Sequence, residues 1–308
     1  MAKEVKFIQL PERKKSEALD EFRLITYNFL MKDLREIVQQ PHRTDFHQLI
    51  FFTHGEGEHW VDFKAEKYGP GTLIPVKAGQ VQKFNHDNGT QAYLLLFTEQ
   101  FIYQKSGDMD WFMTLQLFNP DYEPYAIHLQ PTEANEFSIL LEQIQNELAI
   151  HPEYAQEDII KTMLRTFLLK AERAKRARSQ CLGCENQDSE LYSRFRKYLE
   201  ENYKTSRCAS EYADALTISL KKLNQITDLH TGKRAKQIIE ERTLLEIKRL
   251  LVYTDLTIKE IAYSLGFSDP TNLVKFFKRF TKTTPIDFKE TYRSRANFYH
   301  TKPLSNHS

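Results

Sequence analysis

Asn224 and Gln225, and further along Thr271 and Asn272, are the side chains whose type and spacing suit the reading of nucleic-acid bases. A carboxamide presents a donor beside an acceptor and can pair in bidentate fashion with adenine. Cations accompany both pairs: Lys221 and Lys222 beside the first, Lys275, Lys278, Arg279 and Lys282 after the second. Lys221 and Lys275 have the reach for guanine or phosphate. Lys222, Lys278, Arg279 and Lys282 suit phosphates, contacts that position a protein without specifying a sequence. A second group could hold a metal or a small molecule: His42, His47, His54, His59 and His86 fall close together in the chain. Cys181-Leu-Gly-Cys184 has the spacing of half a zinc site or of a redox pair. A structural zinc takes four ligands, and Cys208 is the only other thiol, so two incidental thiols is the simpler reading.

The elements that must position the amides are short helices. Thr257 with Glu260 forms a capping box, so a helix starts there. Ile258, Ile261, Ala262 and Leu265 make one apolar face, and Gly266 can end the helix in the left-handed conformation. Ser268 is the expected N-cap of the next helix, with Pro270 in its first turn. That helix buries Leu273, Phe276, Phe277 and Phe280 and shows Thr271, Asn272, Lys275, Lys278 and Arg279. Two short helices joined by a glycine turn form a helix-turn-helix. A second such unit is predicted from Ser210–Leu216 and Leu220–Thr231, with Ser219 as cap. Leu223, Ile226, Leu229 and His230 face inward there, and Lys221, Asn224, Gln225 and Asp228 face outward. One long helix, Ala235–Tyr253, joins the units.

The segment Thr257–Arg293 resembles the second helix-turn-helix of the AraC/XylS family of bacterial transcription regulators. The matching residues are Ile261-Ala262, Gly266-Phe267, Phe276-Phe277-Lys278, Thr284-Pro285 and Tyr292-Arg293. The first unit matches through Ala213, Leu216, Ile218-Ser219, Leu223 and Thr231-Gly232.

The N-terminal half reads differently. Short apolar runs are expected as strands at His47–Thr53, His59–Phe63, Thr72–Pro75, Gln82–Phe84 and Gln91–Phe97, separated by Gly and Asn turns. Arg23–Phe29 is a further candidate strand, and Phe29–Gln40 a short helix. Many short strands with regular turns suggest a barrel or jelly roll. The series resembles the cupin-like arm of the same family through residues 42–46, 55–59, 70–73 and 74–79. Metal-binding cupins place two His, a Glu and a further His where this chain has His42, Thr44, Gln48 and Gln82. Thr and Gln are poor ligands for transition metals, so no metal is expected. A barrel without metal still offers a concave mouth, and His42, Arg43, Trp60 and Gln82 are the candidates to bind an effector there. Phe52 and Tyr93 are better read as packing.

Two helices follow, with stripes Phe137, Leu140, Leu141, Ile144, Leu148 and Ile159, Ile160, Met163, Leu164, Phe167, Leu168. Thr132 is the expected cap of the first. The narrow stripe of Met163, Leu164, Phe167 and Leu168, rimmed by Lys161 and Arg165, is expected to pair with a second copy. Residues from Ala171 on read as a frayed helix end and a linker.

Charge divides the chain the same way. Residues 190–308 carry 22 Lys and Arg against 14 Asp and Glu, a net of +8. The other 189 residues carry 21 against 28, a net of −7. A basic segment beside an acidic one suits a polyanion bound at one end. No apolar run of eighteen residues occurs, so no membrane span is expected. The N-terminal residues lack a signal-peptide core, and three Cys fit a reducing cytoplasm.

The expected fold is α+β and multi-domain. A cupin-like β-barrel with two following helices occupies 1–178, and a linker occupies 179–189. An all-α domain with two helix-turn-helix units on one long helix occupies 190–308. The expected function is a sequence-specific, promoter-binding transcription regulator, not an enzyme, that needs no cofactor. By the resemblance it is an activator, a homodimer, responsive to a small-molecule effector and able to meet RNA polymerase. Two alternatives are a DNA-binding protein with no effector, and a cupin enzyme fused to a DNA-binding domain.

Overall fold

The computed structural model describes residues 6–8, 10, 21–85, 89–102, 111–112, 115–119, 125–150, 154–178 and 187–298. The thiols Cys181 and Cys184, and the expected linker up to residue 186, lie outside the described residues. The chain forms two compact units, one over Lys6–Ser193 and one from Arg194 onward.

The first unit contains two five-stranded sheets. Strands β1 (Lys6–Ile8), β3 (His42–Thr44), β8 (Val81–Phe84), β5 (Gly57–Val61) and β6 (Lys64–Tyr68) form one, in the order β1-β3-β8-β5-β6. Strands β10 (Ile127–His128), β7 (Thr72–Val76), β4 (His47–His54), β9 (Gln91–Phe97) and β2 (Phe22–Thr26) form the other, in the order β10-β7-β4-β9-β2. The cupin-like expectation is met by this pair of sheets. Six of the ten strands among the described residues fall on expected ones, five as apolar runs and β2 within Arg23–Phe29. The charged strand β6 carries no apolar run, and β3 holds His, Arg and Thr, so neither announced itself. Thr26 ends β2 and caps α1 (Tyr27–Asp33), its hydroxyl accepting from the Phe29 amide at 3.3 Å, so the candidate strand stops three residues early. Helix α2 (Arg35–Val38) follows.

Strand β4 shows why the second sheet reads as continuous hydrophobicity. Side chains alternate between faces. Ile50 and Phe52 point inward with Val61, Phe84 and Leu94. Leu49 and Phe51 point the other way and are also buried, under two helices. After α3 (Glu99–Ile102), those helices are α4 (Pro131–Ala149) and α5 (Gln156–Arg178). Phe137 of α4 meets Phe167 of α5 edge-on, ring centroids 4.7 Å apart.

Three features of these helices differ from expectation. The cap of α4 is Gln130, with Pro131 at the first helical position and the Glu133 carboxylate accepting from the Gln130 amide at 2.7 Å. Thr132 already lies inside the helix. Helix α5 does not fray after Ala171. Ala171, Ala174 and Lys175 are buried, and the Lys175 ammonium donates to the Leu117 carbonyl at 3.2 Å. Glu172 accepts from the Leu117 amide at 2.8 Å, and Arg178 pairs with Glu133. The third difference is in the stripe expected to pair with a second copy. Leu164, Phe167 and Leu168 are buried within this chain, in the same core as Leu49 and Phe51, with Met163 packed against it. They cover the sheet and are not an outward face for a second copy. A charge at Leu164 or Leu168 would cost several kcal/mol of folding stability, as core truncations do.

The second unit is helical: α6 (Gln187–Asn202), α7 (Ala209–Ala215), α8 (Leu220–Thr231), α9 (Ala235–Tyr253), α10 (Ile258–Ser264), α11 (Pro270–Thr281) and α12 (Pro285–Phe298). The bounds of α8 and α9 agree with the sequence reading. Ile238, Ile239, Ile247 and Leu251 of α9 form the centre, with Phe195, Leu223, Ile261, Leu273 and Phe277 around the unit. Helix α9 also buries charge. Glu246 and Arg249 are nearly inaccessible, and Arg249 donates to Glu246 at 3.2 Å. Arg242 donates to Glu200 of α6 at 3.0 Å and lies 3.8 Å above the Tyr203 ring. Removing one member of such a network strands its partner in the interior. No described helix is long and apolar enough to cross a membrane.

Candidate nucleic-acid interface and an interior polar cluster

Both helix-turn-helix units end their first helix in the same way. In the second, the Phe267 amide donates to the Ala262 carbonyl at 2.9 Å and the Gly266 amide to Tyr263 at 3.1 Å. In the first, Ile218 donates to Ala213 at 3.0 Å and Thr217 to Asp214 at 2.9 Å. This double bond closes a helix around one left-handed residue. That residue is Gly266, φ +67°, in the second unit and Thr217, φ +58°, in the first. Arg207 secures the second turn, donating to the carbonyls of Leu265 at 2.7 Å and Gly266 at 2.9 Å. Its guanidinium lies 3.9 Å from the centre of the Phe267 ring. A cation on the last carbonyls of a helix also opposes the dipole there.

The reading helices start differently. Ser219 caps α8, its hydroxyl accepting from the Lys222 amide at 3.1 Å, as expected. Helix α11 is capped by Asp269, which accepts from the Thr271 amide at 2.6 Å, and not by Ser268. The left-handed residue precedes the cap by two positions in the first unit and by three in the second. Ser268 is the extra residue, and a glycine-turn pattern alone does not reveal that insertion.

On α11, Thr271, Asn272, Lys275, Lys278 and Arg279 are all exposed, and Leu273 and Phe277 are buried. The exposed face is as expected, but Phe276 and Phe280, expected to be buried with Leu273 and Phe277, are only half-buried. Arg279 is not a bare cation: it donates to Glu240 of α9 at 2.7 Å and lies 4.7 Å from the Phe280 ring. On α8, Lys221, Gln225 and Asp228 are exposed, and Lys222 and Asn224 are half-buried. Leu229, expected inside, is 51% exposed, while His230 is buried as expected.

Asn224 also differs from its expected role. Its carbonyl oxygen accepts from the Ala235 amide at 3.1 Å. Ala235 opens α9, where amides have no partner inside the helix. The second unit removes the need: eleven residues apart, as Asn224 and Ala235 are, stand Val274 and Pro285. Proline at that position has no amide to satisfy. Asn224 therefore holds α8 to α9. Asn224→Ala should cost about 1 kcal/mol of stability, as loss of a cap does. It should weaken selected and random DNA alike, and Asn224→Val with Ala235→Pro should recover the loss. Chemical denaturation with a binding titration checks both. A loss confined to one base pair, with stability unchanged, would restore the base-reading role.

In the first unit the expected effector residues separate. His42 and Gln82 face each other across β3 and β8, and Val61 faces Gln82 across β5 and β8. His42, His59 and Gln82 are each 1% exposed. Arg43 and Trp60 stand at the alternate positions of β3 and β5, hence on the other face of the sheet. His59 takes their place, and alternation along His59-Trp60-Val61 was the signal that could have found it. His42 donates from Nδ1 to the Gln40 carbonyl at 2.9 Å, and Nε2 of His59 meets Oε1 of Gln82 at 3.2 Å. Among the described residues, Nδ1 of His59 and Nε2 of Gln82 are buried without a hydrogen-bond partner. Burial holds the His42 pKa down to about 4 and, with the charge of His42 nearby, that of His59 to about 3. Both imidazoles are neutral near pH 7. At the other two positions of the metal pattern, the Gln48 amide donates to the Thr44 hydroxyl at 3.3 Å. Among the described residues no three His, Cys, Asp or Glu are grouped to hold a metal ion.

Two family models match along this division. A model of an AraC-like ligand binding domain matches residues 33–148, and a model of a helix-turn-helix domain matches residues 212–291. The HTH-type transcriptional activator RhaS of Salmonella schwarzengrund is 22% identical over 258 residues, covering 81% of this chain and 87% of RhaS. Among solved structures, unsaturated fatty acid-bound ToxT from Vibrio cholerae aligns at 15% identity with a TM-score of 0.41, covering 87% of this chain and 95% of ToxT. The DNA-binding domain of AdpA in complex with a target DNA aligns at 24% identity with a TM-score of 0.31, covering 34% of this chain and 94% of that domain.

Proposed function

We propose that this chain, which belongs to the AraC/XylS family of transcription regulators, reads promoter DNA through the exposed faces of α8 and α11 and acts as an activator. The observation that carries this reading is the face of α11. Five exposed polar or basic side chains stand there over a fully buried Leu273 and Phe277. Thr271 and Asn272, at its N-terminal end, read base edges. Lys275 reaches guanine or phosphate, and Lys278 and Arg279 bind phosphates. Lys221 and Gln225 do the equivalent work on α8, with Lys222 toward the backbone. Two reading helices joined by one linker helix suit successive major grooves, roughly 34 Å apart. The protein works in the cytoplasm, beside RNA polymerase, without catalysing a reaction.

Mutagenesis separates the two kinds of contact. Asn272→Ala should cost about 1–3 kcal/mol on the cognate base pair and relax preference at that position only. Lys278→Ala should weaken every sequence by a similar factor and lower the salt dependence by about one ion. If both variants weaken cognate and random duplexes equally, the assignment of roles is wrong.

The effector reading is supported by the interior cluster. An unmade hydrogen bond in the interior costs roughly 1–3 kcal/mol, and the unpartnered atoms of His59 and Gln82 are two such sites. A small molecule that bonds to both recovers that energy. Such a molecule, found by a thermal-shift screen of metabolites, should raise the melting temperature of the wild type and not that of Gln82→Leu. A hit that stabilises both equally would place the effector elsewhere.

A further inference from the structure

We propose that Ser268 is a positioning residue that presets the carboxamide of Asn272 for one base pair; this rests on the reading of Asn272 as a base contact. Ser268 is the residue by which the second turn exceeds the first, and it is not used as a cap, because Asp269 takes the Thr271 amide. Its hydroxyl oxygen instead accepts from Nδ2 of Asn272 at 3.2 Å. Both residues are exposed, at the N-terminal end of α11, the part of a recognition helix that approaches base edges.

The chemistry follows from counting hydrogens. A carboxamide carries one acceptor oxygen and two N–H groups. The edge that matches adenine uses the oxygen and the N–H on the same side, which leaves the other N–H surplus. Ser268 has a lone pair for that surplus N–H. Without such a partner, the terminal torsion of an Asn is broad, and its two edges interchange by rotation. Holding it before DNA arrives reduces the ordering cost at binding and favours one edge over its flipped alternative. The first unit has no counterpart: Ser219 is committed to capping Lys222, and Lys222 stands at the helix position that Asn272 occupies in the second.

The test uses the full chain on a duplex selected from random sequence, with every position of the second half-site substituted in turn. Asn272→Ala should lose roughly tenfold or more of the discrimination at one base pair. Ser268→Ala should lose roughly three- to tenfold at that same base pair while affinity for random DNA stays unchanged. Ser268→Thr, which keeps the hydroxyl, should retain discrimination, and Ser268→Ala should add nothing in an Asn272→Ala background. Full discrimination in Ser268→Ala, beside a clear Asn272→Ala effect, overturns the positioning role alone. Equal weakening of selected and random DNA by Ser268→Ala overturns it too. No change at any base pair in Asn272→Ala overturns the base-reading assignment, and Ser268 falls with it.

Discussion

Gly266→Ala should destabilise the C-terminal unit by roughly 2–5 kcal/mol and remove most DNA binding at 37 °C. Two costs add. A side chain at φ +67° sits in the left-handed region, which costs about 1–2 kcal/mol. A Cβ there would also press into the carbonyl oxygen of Lys204, a backbone atom that cannot turn aside. Forced overpacking costs about 1–3 kcal/mol more. Gly232→Ala separates the two costs, because Gly232 has φ +66° but no atom within 4 Å of the added Cβ. It should cost only that first part, about 1–2 kcal/mol. Denaturant unfolding followed by helical circular dichroism checks the pair. Equal losses in both variants would show that the Lys204 contact is relieved at no cost.

Acidification should destabilise the N-terminal unit well above the pH at which carboxylates titrate. The unfolded chain protonates His42 and His59 near their ordinary value of 6.5. The folded chain resists until about 4 and about 3. Below pH 6.5 the unfolded state therefore binds more protons, and folding stability falls as pH falls. The loss is absent above 6.5, grows through this window and is complete below the folded values. Each group contributes about 1.4 kcal/mol per pH unit inside its window, so by pH 5 the pair removes roughly 4 kcal/mol. Both tryptophans, Trp60 and Trp111, belong to this unit, so tryptophan fluorescence during urea unfolding reports on it alone. A His42→Gln, His59→Gln variant should reduce the dependence between pH 6.5 and 5, leaving the smaller slope of buried His47, whose pKa burial also lowers. A wild type equally stable at both pH values would mean that these imidazoles are already solvated or charged.

The C-terminal unit was the more legible half because its signals are local. The Thr257–Glu260 capping box, the cap at Ser219 and the stripe of α11 each depend on residues within one or two turns. The bounds of α9 were legible for the same reason. What escaped depends on a partner distant in sequence. Asn224 is spent on Ala235 across a turn, Arg207 reaches Leu265 and Gly266, and Arg242 reaches Glu200. In the barrel, Arg43 and Trp60 were assigned by residue type, while strand alternation decides which face each takes. The stripe of Leu164 and Leu168 looked like an interface because amphipathicity reports that a face is covered and not by what. The sheet covers it.

Selection of a binding site from random duplexes, followed by competition at two salt concentrations, tests the central claim most directly. The selected site should bind the full chain on the order of a thousandfold or more tighter than random DNA. Its information should fall in two blocks centred about 10 base pairs apart, one for each reading helix. Affinity for both selected and random DNA should drop steeply as salt rises, through release of counterions. A pool that yields no preferred sequence, or an affinity indifferent to salt, would contradict the account of this chain as a sequence-reading regulator.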